Sequence, residues 1–286
     1  MEMAAAAERA GFDAVFVTDH PVPERRWLEG GGHQAMDPFV ALSFAAAATQ
    51  KIRLQTNLCV LPYRNPYLTA KSVASLDSLS GGRMLLGVGA GYLRAEFDAL
   101  GADFERRNEL CDEAIVEMKR IWSGEPTQIG EREHLALPRP VQTPHPTLWG
   151  GGNSKRAIRR AVELCDGWMP FPNPASAVRT VRTPQLTDLD DLRDRIAYAH
   201  AYADEIGRPR LRDVMFSPLL GRHYGQPGFE VSAFVDQVAR QAELGVTQLG
   251  ALFERTGRSK LPSRARWLEL LEGFAADVLS KLPRSS

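Results

Sequence analysis

Cysteine is scarce in this sequence, and its spacing argues against two classes of protein. The 286 residues include three cysteines, Cys59, Cys111 and Cys165, which lie far apart and form no CxxC pair. An odd and widely spaced set supports neither a disulfide framework nor a structural zinc site. The six histidines contain no HxH pair of the kind that metal-dependent barrel hydrolases use, so we expect no bound metal.

An excess of charge of either sign is also missing, as is any long apolar run. Lysine plus arginine and aspartate plus glutamate both number 35. Such a balanced chain offers no basic surplus for nucleic acid or an anionic membrane. No apolar stretch reaches the roughly 18 residues of a membrane span, and the N-terminus lacks the basic-then-apolar order of a signal peptide. We therefore expect a cytoplasmic protein that acts on a small molecule.

Short β-branched segments alternate with longer amphipathic segments, which is the pattern of parallel strands joined by crossover helices. It predicts strands near 14–18, 52–60, 84–88, 146–150, 167–171, 213–219 and 246–252. It predicts helices near 38–49, 66–79, 106–122, 154–165, 189–206, 230–244 and 263–280. A single-domain TIM (β/α)8 barrel over residues 1–286, with one strand lacking, fits this spacing. An open doubly wound sheet is the structural alternative.

Three segments interrupt the alternation and are expected to be loop insertions. Segments 124–146 and 171–190 are rich in proline, and segment 221–230 has the glycine content of a mobile flap. Insertions on a scaffold often carry specificity, and in a barrel the loops after the strands gather at the C-terminal face. Residues that follow each strand are therefore the first candidates for function.

The first two strands end in polar residues. The first ends in VTDHP, which places Asp19 beside His20, a side chain that can donate a hydrogen bond or move a proton near neutral pH. A local Asp/His loop cap is the other interpretation. The second strand ends in TNLCVLPYRNP, where Thr56 and Asn57 interrupt an apolar run. This pattern indicates either a bulge against a flat ligand or a strand that ends at a proline turn.

The third strand ends in GVGAG, in which glycine occupies every second position. Alternate glycines, here Gly87, Gly89 and Gly91, strip side chains from one face of a strand and permit close approach of a planar ligand. Tyr92 stands where a dinucleotide-binding fingerprint requires its third glycine. The Rossmann fingerprint is therefore absent.

The fourth strand ends in WGGGNSKR, which predicts the start of a helix. Asn153 or Ser154 is the expected N-cap, and Lys155 and Arg156 occupy the first turn. Cations are unfavourable at the positive end of a helix dipole unless an anion is bound there. Phosphate binding is one interpretation, and a flexible turn with solvated basic residues is the other.

Together these segments resemble the luciferase-like monooxygenase superfamily, in particular its coenzyme F420-dependent oxidoreductase branch. The resemblance runs through AERAGFDAVFVTDHP, DPFVALSFAAAAT, LPYRNPYLTAKSVASLDSLSGGRMLLGVGAGYLRAEFDALG and HPTLWGGGNSKRAIRRAVELCDGWMP, and it is weaker beyond residue 171. It implies a (β/α)8 barrel that binds flavin or F420 at its C-terminal mouth, and a homodimer. Family members begin with a strand before the helix that ends in AERAGFD, whereas this sequence starts inside that helix. We therefore expect the first strand to be the one lacking.

The resemblance also implies the residues of the site. A DH pair lies against the deazaflavin in the F420 branch; here it is Asp19 and His20, with His20 as the catalytic residue. The bond Asn57–Leu58 corresponds to a non-prolyl cis peptide that backs the ring. The other implied cofactor positions are Thr56, Gly89, Ala90, Gly91, Gly151, Gly152, Asn153 and Ser154. Substrate-side candidates are Tyr92, Arg64 and Trp168, and Tyr92 replaces an acidic residue of the relatives that oxidise glucose 6-phosphate.

The implied reaction is hydride transfer between C5 of F420 and a small organic substrate, with His20 assisting proton movement. FMN-dependent monooxygenation on the same barrel is the first alternative. The phosphate and acidic glutamate tail of F420 would suit the basic side chains after the fourth strand, although FMN also needs a phosphate site; these side chains are Lys155, Arg156, Arg159 and Arg160. A cofactor-free, non-catalytic barrel is the second alternative, because the first strand is lacking.

Overall fold

The structure is a computed structural model, and it describes residues 1–219, 222–251, 253–254 and 262–282. Its strands are β1 (Ala14–Val17), β2 (Arg53–Val60), β3 (Met84–Gly89), β4 (Thr127–Ile129), β5 (Arg132–His134), β6 (Thr147–Gly151), β7 (Gly167–Met169), β8 (Asp213–Phe216) and β9 (Gln248–Leu249). Its helices are α1 (Glu2–Ala10), α2 (Arg25–Glu29), α3 (Pro38–Ala47), α4 (Pro66–Ser80), α5 (Arg94–Leu100), α6 (Arg107–Ser123), α7 (Lys155–Leu164), α8 (Val178–Val181), α9 (Leu189–Glu205), α10 (Val231–Glu243) and α11 (Arg264–Asp277). Among these helices, none has the length and apolar character needed to cross a membrane.

Seven parallel strands form the main sheet of the described chain, in the order β1-β2-β3-β6-β7-β8-β9. Each crossover advances by one strand in the same direction, as in a barrel, whereas a doubly wound sheet reverses its order. The sheet is an open half-barrel, because β1 and β9 form its two edges in the described residues. The predicted set of seven strands is confirmed, although residue 252, the end of the last predicted strand, lies outside the described residues.

Helices cover the outer face of the sheet, and a separate set of side chains fills its inner face. Successive side chains of a strand point to opposite faces. On β3, Leu86 accordingly packs with Met118 of α6 in the main core, whereas Leu85 belongs to an inner cluster with Trp149 and Met215. All of β3 is buried, as is typical of a parallel strand that is covered on both faces.

The three predicted insertions lie at opposite ends of the half-barrel. Segment 124–146 joins α6 to β6 and therefore lies at the N-terminal end of the sheet, away from the mouth. It forms the β4–β5 hairpin, and its return passes α4, where buried Asp77 accepts hydrogen bonds from the backbone of Val141 (2.7 Å) and Gln142 (3.0 Å). This segment therefore lies at the end of the sheet opposite to the carboxyl ends of the strands. Segments 171–190 and 222–230 follow β7 and β8 and lie at the mouth; residue 221 lies outside the described residues.

Candidate active site

The carboxyl ends of β1, β2 and β3 bring the first three connections together around one buried carboxylate. Nδ1 of His20 lies 3.1 Å from Oε2 of Glu96, whose side chain is fully buried. The same carboxylate accepts hydrogen bonds from the hydroxyl of Tyr63 (3.0 Å) and from the backbone N–H of Val22 (3.2 Å). Glu96 therefore ties together the segments that follow all three strands.

The imidazole of His20 is held by Glu96 on one side and by aromatic rings on the others. Its ring centroid lies 4.6 Å from that of Trp27, 5.0 Å from that of His33 and 6.0 Å from that of Tyr92. Because a carboxylate accepts, Nδ1 carries the donated proton, and Nε2 of the neutral ring is an acceptor. The residues that the structure describes provide no hydrogen-bond partner for Nε2. This atom can therefore accept a proton from a molecule at the mouth.

Two tyrosines beside His20 are hydrogen-bond donors at neutral pH. Burial, and next the charge of Glu96, raises the pKa of Tyr92 to about 12. The same two causes raise the pKa of Tyr63, which donates to Glu96. The hydroxyl of Tyr92 has no hydrogen-bond partner within the described ranges, so it can donate to a bound substrate.

Asp19 has a different environment from that of its neighbour His20. Its buried carboxylate accepts hydrogen bonds from both terminal nitrogens of Arg64 and from the backbone N–H of Val60 (3.0 Å). Arg64 also lies 3.2 Å from Asp37, the N-cap of α3. Asp19 and Arg64, which were predicted to face the cofactor and the substrate, thus hold the ends of β1, β2 and α3 together.

The middle of β2 provides a floor for the mouth. The peptide bond Asn57–Leu58 is cis, as the resemblance implied, and the pairing of β2 with β3 shifts register between Thr56 and Cys59. Asn57 and Leu58 are partly exposed although β1 and β3 flank this strand. The amide and the leucine side chain could therefore support one face of a planar ring.

Glycines of β3 and β6 make room for Leu58. A Cβ atom at Gly89 would lie 2.4 Å from Cδ1 of Leu58, and one at Gly151 would lie 2.5 Å from Cδ2. A Cβ atom at Gly87 would lie 2.2 Å from the backbone oxygen of Thr56. Protein atoms fill the space over these glycines, which corrects the expectation that a ligand would lie directly against them.

Three further candidates contact protein atoms. Ala90 packs against the main core, and a Cβ atom at Gly91 would lie 2.6 Å from Cγ1 of Val60. Trp168 is fully buried in the cluster formed with α7 and α9, and its Nε1 donates to the backbone oxygen of Gly152 (2.9 Å). This location does not fit a substrate-side role for Trp168.

The turn between β6 and α7 depends on one glycine and two polar residues. Gly152 has a φ of +112°, which side chains other than glycine rarely allow. The buried amide of Asn153 both donates to and accepts from the backbone of Phe171 (2.9 and 3.1 Å). Ser154 is the N-cap and accepts from the N–H of Ala157 (3.1 Å). The earlier N–H groups of the first turn are the donors that an anion could use.

The basic side chains of α7 that suggested an anion have protein partners. Asp112 of α6 pairs with both Arg156 and Arg160. On the other side of the helix, Tyr198 of α9 lies under Lys155 and accepts a hydrogen bond from Arg159 (2.7 Å). These contacts account for the cations without a phosphate, which corrects the argument drawn from the first turn.

The sequence did not indicate Glu96, Trp27 or His33 as parts of the site. Glu96 lies in RAEFDAL, where an acidic residue in the first turn of a short helix is normally explained by the helix dipole. Its position in the sequence could have indicated Glu96, because the segment directly follows β3. The segments that follow parallel strands gather at one end of the sheet.

The structure defines an α/β half-barrel whose polar residues gather at the carboxyl ends of its strands. In the ranges described above, no three His, Cys, Asp or Glu side chains form a group that could hold a metal ion. The sequence profile of the family described as luciferase-like monooxygenase matches residues 1–212. The chain belongs to this family.

Relatives and solved structures include proteins named for two different cofactors. An uncharacterized protein of Mycobacterium tuberculosis is 29% identical over 248 residues, which cover 84% of this chain and 75% of that protein. An FMNH2-dependent dimethylsulfone monooxygenase of Pseudomonas putida is 28% identical over 215 residues, which cover 72% of this chain and 55% of that enzyme. The coenzyme F420-dependent tetrahydromethanopterin reductase of Methanopyrus kandleri has the same fold, with a TM-score of 0.67, 17% identity, and coverage of 98% of this chain and 94% of that one. The protein is thus an oxidoreductase of this family, whose named relatives include FMN-dependent and F420-dependent proteins.

Proposed function

We propose that the protein is an F420-dependent oxidoreductase that transfers a hydride between C5 of the deazaflavin and a small alcohol or carbonyl compound. The observation that carries this proposal is the bond from Nδ1 of His20 to buried Glu96, which leaves Nε2 as an acceptor without a hydrogen-bond partner among the described residues. An alcohol that loses a hydride from carbon must also lose its hydroxyl proton. A histidine whose tautomer is fixed by a carboxylate is suited to accept that proton near neutral pH.

The residues at the mouth fit a planar cofactor that carries an anionic side chain. Asn57 and Leu58 would lie beneath the ring, and the first N–H groups of α7 would bind the phosphate. When bound, F420 supplies the hydride chemistry at C5. His20 would hold or accept the hydroxyl proton at Nε2, and Tyr92 would donate a hydrogen bond to the substrate oxygen.

A base at this position suits alcohol dehydrogenation by F420. Insertion of oxygen by a reduced flavin does not require removal of a hydroxyl proton from the substrate, whereas dehydrogenation of an alcohol does. The names of the relatives support either cofactor, since one is named for FMNH2 and one is a putative coenzyme F420-dependent oxidoreductase. The cofactor-free alternative predicts binding of neither.

Titration of the purified protein with F420 and with FMN, followed by intrinsic tryptophan fluorescence, tests the cofactor. Stopped-flow absorbance of F420 in the presence of alcohols then tests the reaction. We expect His20→Ala to retain F420 binding and to slow hydride transfer by roughly 10²- to 10⁴-fold. His134→Ala, an exposed histidine of β5 at the other end of the sheet, is the matched control.

The possible outcomes separate the alternatives. Binding of FMN without F420 would favour the monooxygenase, and unchanged turnover in His20→Ala would reject the role of this base. Binding of neither cofactor by a protein with an intact circular dichroism spectrum would favour the non-catalytic alternative.

A further inference from the structure

Three arginine side chains surround one aromatic ring at the mouth of the half-barrel. The guanidinium carbons of Arg94 and Arg107 each lie 4.2 Å from the ring centroid of Phe104, and that of Arg182 lies 5.0 Å from it. Phe104 itself is buried. Arg94 and Arg107 begin the helices that follow β3, whereas Arg182 lies in the connection after β7. Only folding brings these three cations together.

Acidic side chains balance this cluster only in part, since the charges of Glu105 and Glu109 act on Arg107 against those of the neighbouring arginines. Within the described residues, only Arg94 has a carboxylate partner, Glu105, whose side chain is 73% exposed. Arg107 donates to the backbone oxygen of Phe104 (2.9 Å). Burial, and next the charge of Arg182, lowers the pKa of Arg107. Like charges held close together raise the free energy of the folded protein, and a bound anion would offset that cost.

The cluster lies next to the turn that begins α7. A guanidinium that stacks on an aromatic ring keeps N–H groups at its edge for a carboxylate. Arg182 ends α8 in the left-handed conformation, with a φ of +50°. The adjacent Thr183 accepts a hydrogen bond from the backbone N–H of Asn153 (3.0 Å). Arg182 is thus adjacent in sequence to a residue that contacts the turn before α7.

We propose that Arg94, Arg107 and Arg182 bind the carboxylate groups of an acidic tail on the cofactor. F420 continues beyond its phosphate into a chain of glutamates, whereas FMN ends at its phosphate. A cofactor phosphate at the first turn of α7 would bring such a tail to the neighbouring arginines. The inference rests on the proposed F420 function and adds a site that the ring and the phosphate do not require.

The test compares F420 carrying several glutamates with the same deazaflavin lacking glutamates. Dissociation constants are measured by tryptophan fluorescence at low and high salt for the wild type and for the double variant Arg107→Gln/Arg182→Gln. We expect the wild type to bind the glutamylated form roughly three- to tenfold more tightly, with a preference that salt weakens, because exposed ion pairs are individually weak. The double variant should lose this preference and should bind the tail-less form as the wild type does.

Arg210→Gln serves as the control. Arg210 is exposed, pairs with Asp204 and lies just before the start of β8, at the end of the sheet away from the mouth. A tail preference that persists in the double variant, or equal losses for both forms of F420, would overturn the inference. Tail-independent binding by the wild type would overturn this inference alone, and failure to bind any F420 would overturn the proposed function as well. Thermal unfolding shows whether the double variant is folded. If it is unstable, the single variant Arg182→Gln, at an exposed position, is used to compare the affinities for glutamylated and tail-less F420.

Discussion

Glu96 offers both of its oxygens to donors that come from different connections. One oxygen accepts from the backbone N–H of Val22, and the other accepts from His20 and Tyr63. A carboxylate can satisfy all three donors, whereas an amide has only one oxygen. The identity of this residue therefore fixes which nitrogen of His20 donates to residue 96 and which is left to accept.

Glu96→Gln should lower turnover at least about a hundredfold while the protein still binds the cofactor. The amide would either turn its NH2 group toward Val22 and lose that bond, or donate to Nδ1 of His20 and move the imidazole proton to Nε2. Steady-state kinetics measures the loss of turnover, and nitrogen NMR of the His20 ring shows which ring nitrogen carries the proton. Glu105→Gln, at an exposed glutamate, is the control. Wild-type turnover in Glu96→Gln would contradict the positioning role.

At the scale of elements, two arginines of α7 join this helix to α6. The side chain of Arg160 is 3% exposed, and it pairs with Asp112 and donates to the backbone oxygen of Asn108 (3.0 Å). In contrast, Arg156 is about half exposed and pairs with Glu109 and Asp112. The buried charge of Arg160 thus needs a protein partner, whereas water can solvate the charge of Arg156.

Asp112→Ala should reduce the free energy of unfolding by about 2 to 3 kcal/mol, because it leaves a buried guanidinium with neutral acceptors only. Glu109→Ala, which removes a partner of the exposed Arg156, should change it by no more than about 1 kcal/mol. Urea denaturation followed by circular dichroism measures both values. Equal effects of the two substitutions would show that the burial of Arg160 does not govern this contact.

At the scale of the whole molecule, α3 and α4 present an apolar face without a partner in the chain described here. The α3 sequence PFVALSFAAA contains no charged residue, yet Val40 and Phe44 are each 59% exposed, and Leu68 on the adjoining α4 is 70% exposed. Exposed apolar patches of this kind mark interfaces. A two-fold dimer brings one face against its own copy, and the uncharged surface of α3 can pair with itself. We propose that this surface forms a homodimer.

Phe44→Lys should convert a dimer to a monomer, because an interface would bury the introduced charge without a partner. Light scattering after size-exclusion chromatography measures the mass. Val116→Lys, at an exposed position of α6, should leave the mass unchanged. A monomeric wild type would contradict this proposal.

The order of the elements could be predicted from the sequence, because local patterns determine it. Apolar residues at every second position predict a strand such as β2, and apolar residues at helical spacing predict a helix such as α6. Ser154 caps α7 through a contact with a residue three positions away. The VTDHP motif likewise predicted that His20 follows the first strand. Short elements inside the connections, such as α2 and α5, were missed because they are stabilised by what they pack against.

The sequence by itself determined the alternation of strands and helices, the seven strands and the family. Only the tertiary structure decided that Asp19 pairs with Arg64, that Leu58 fills the space over Gly89 and Gly151, and that Glu96 bonds to His20. Backbone conformation depends on neighbours within a few residues, whereas these contacts join residues separated by 31 to 93 positions. The order of the strands in the sheet determines which strand ends are neighbours, and therefore which polar side chains pair. Local sequence patterns do not contain this information.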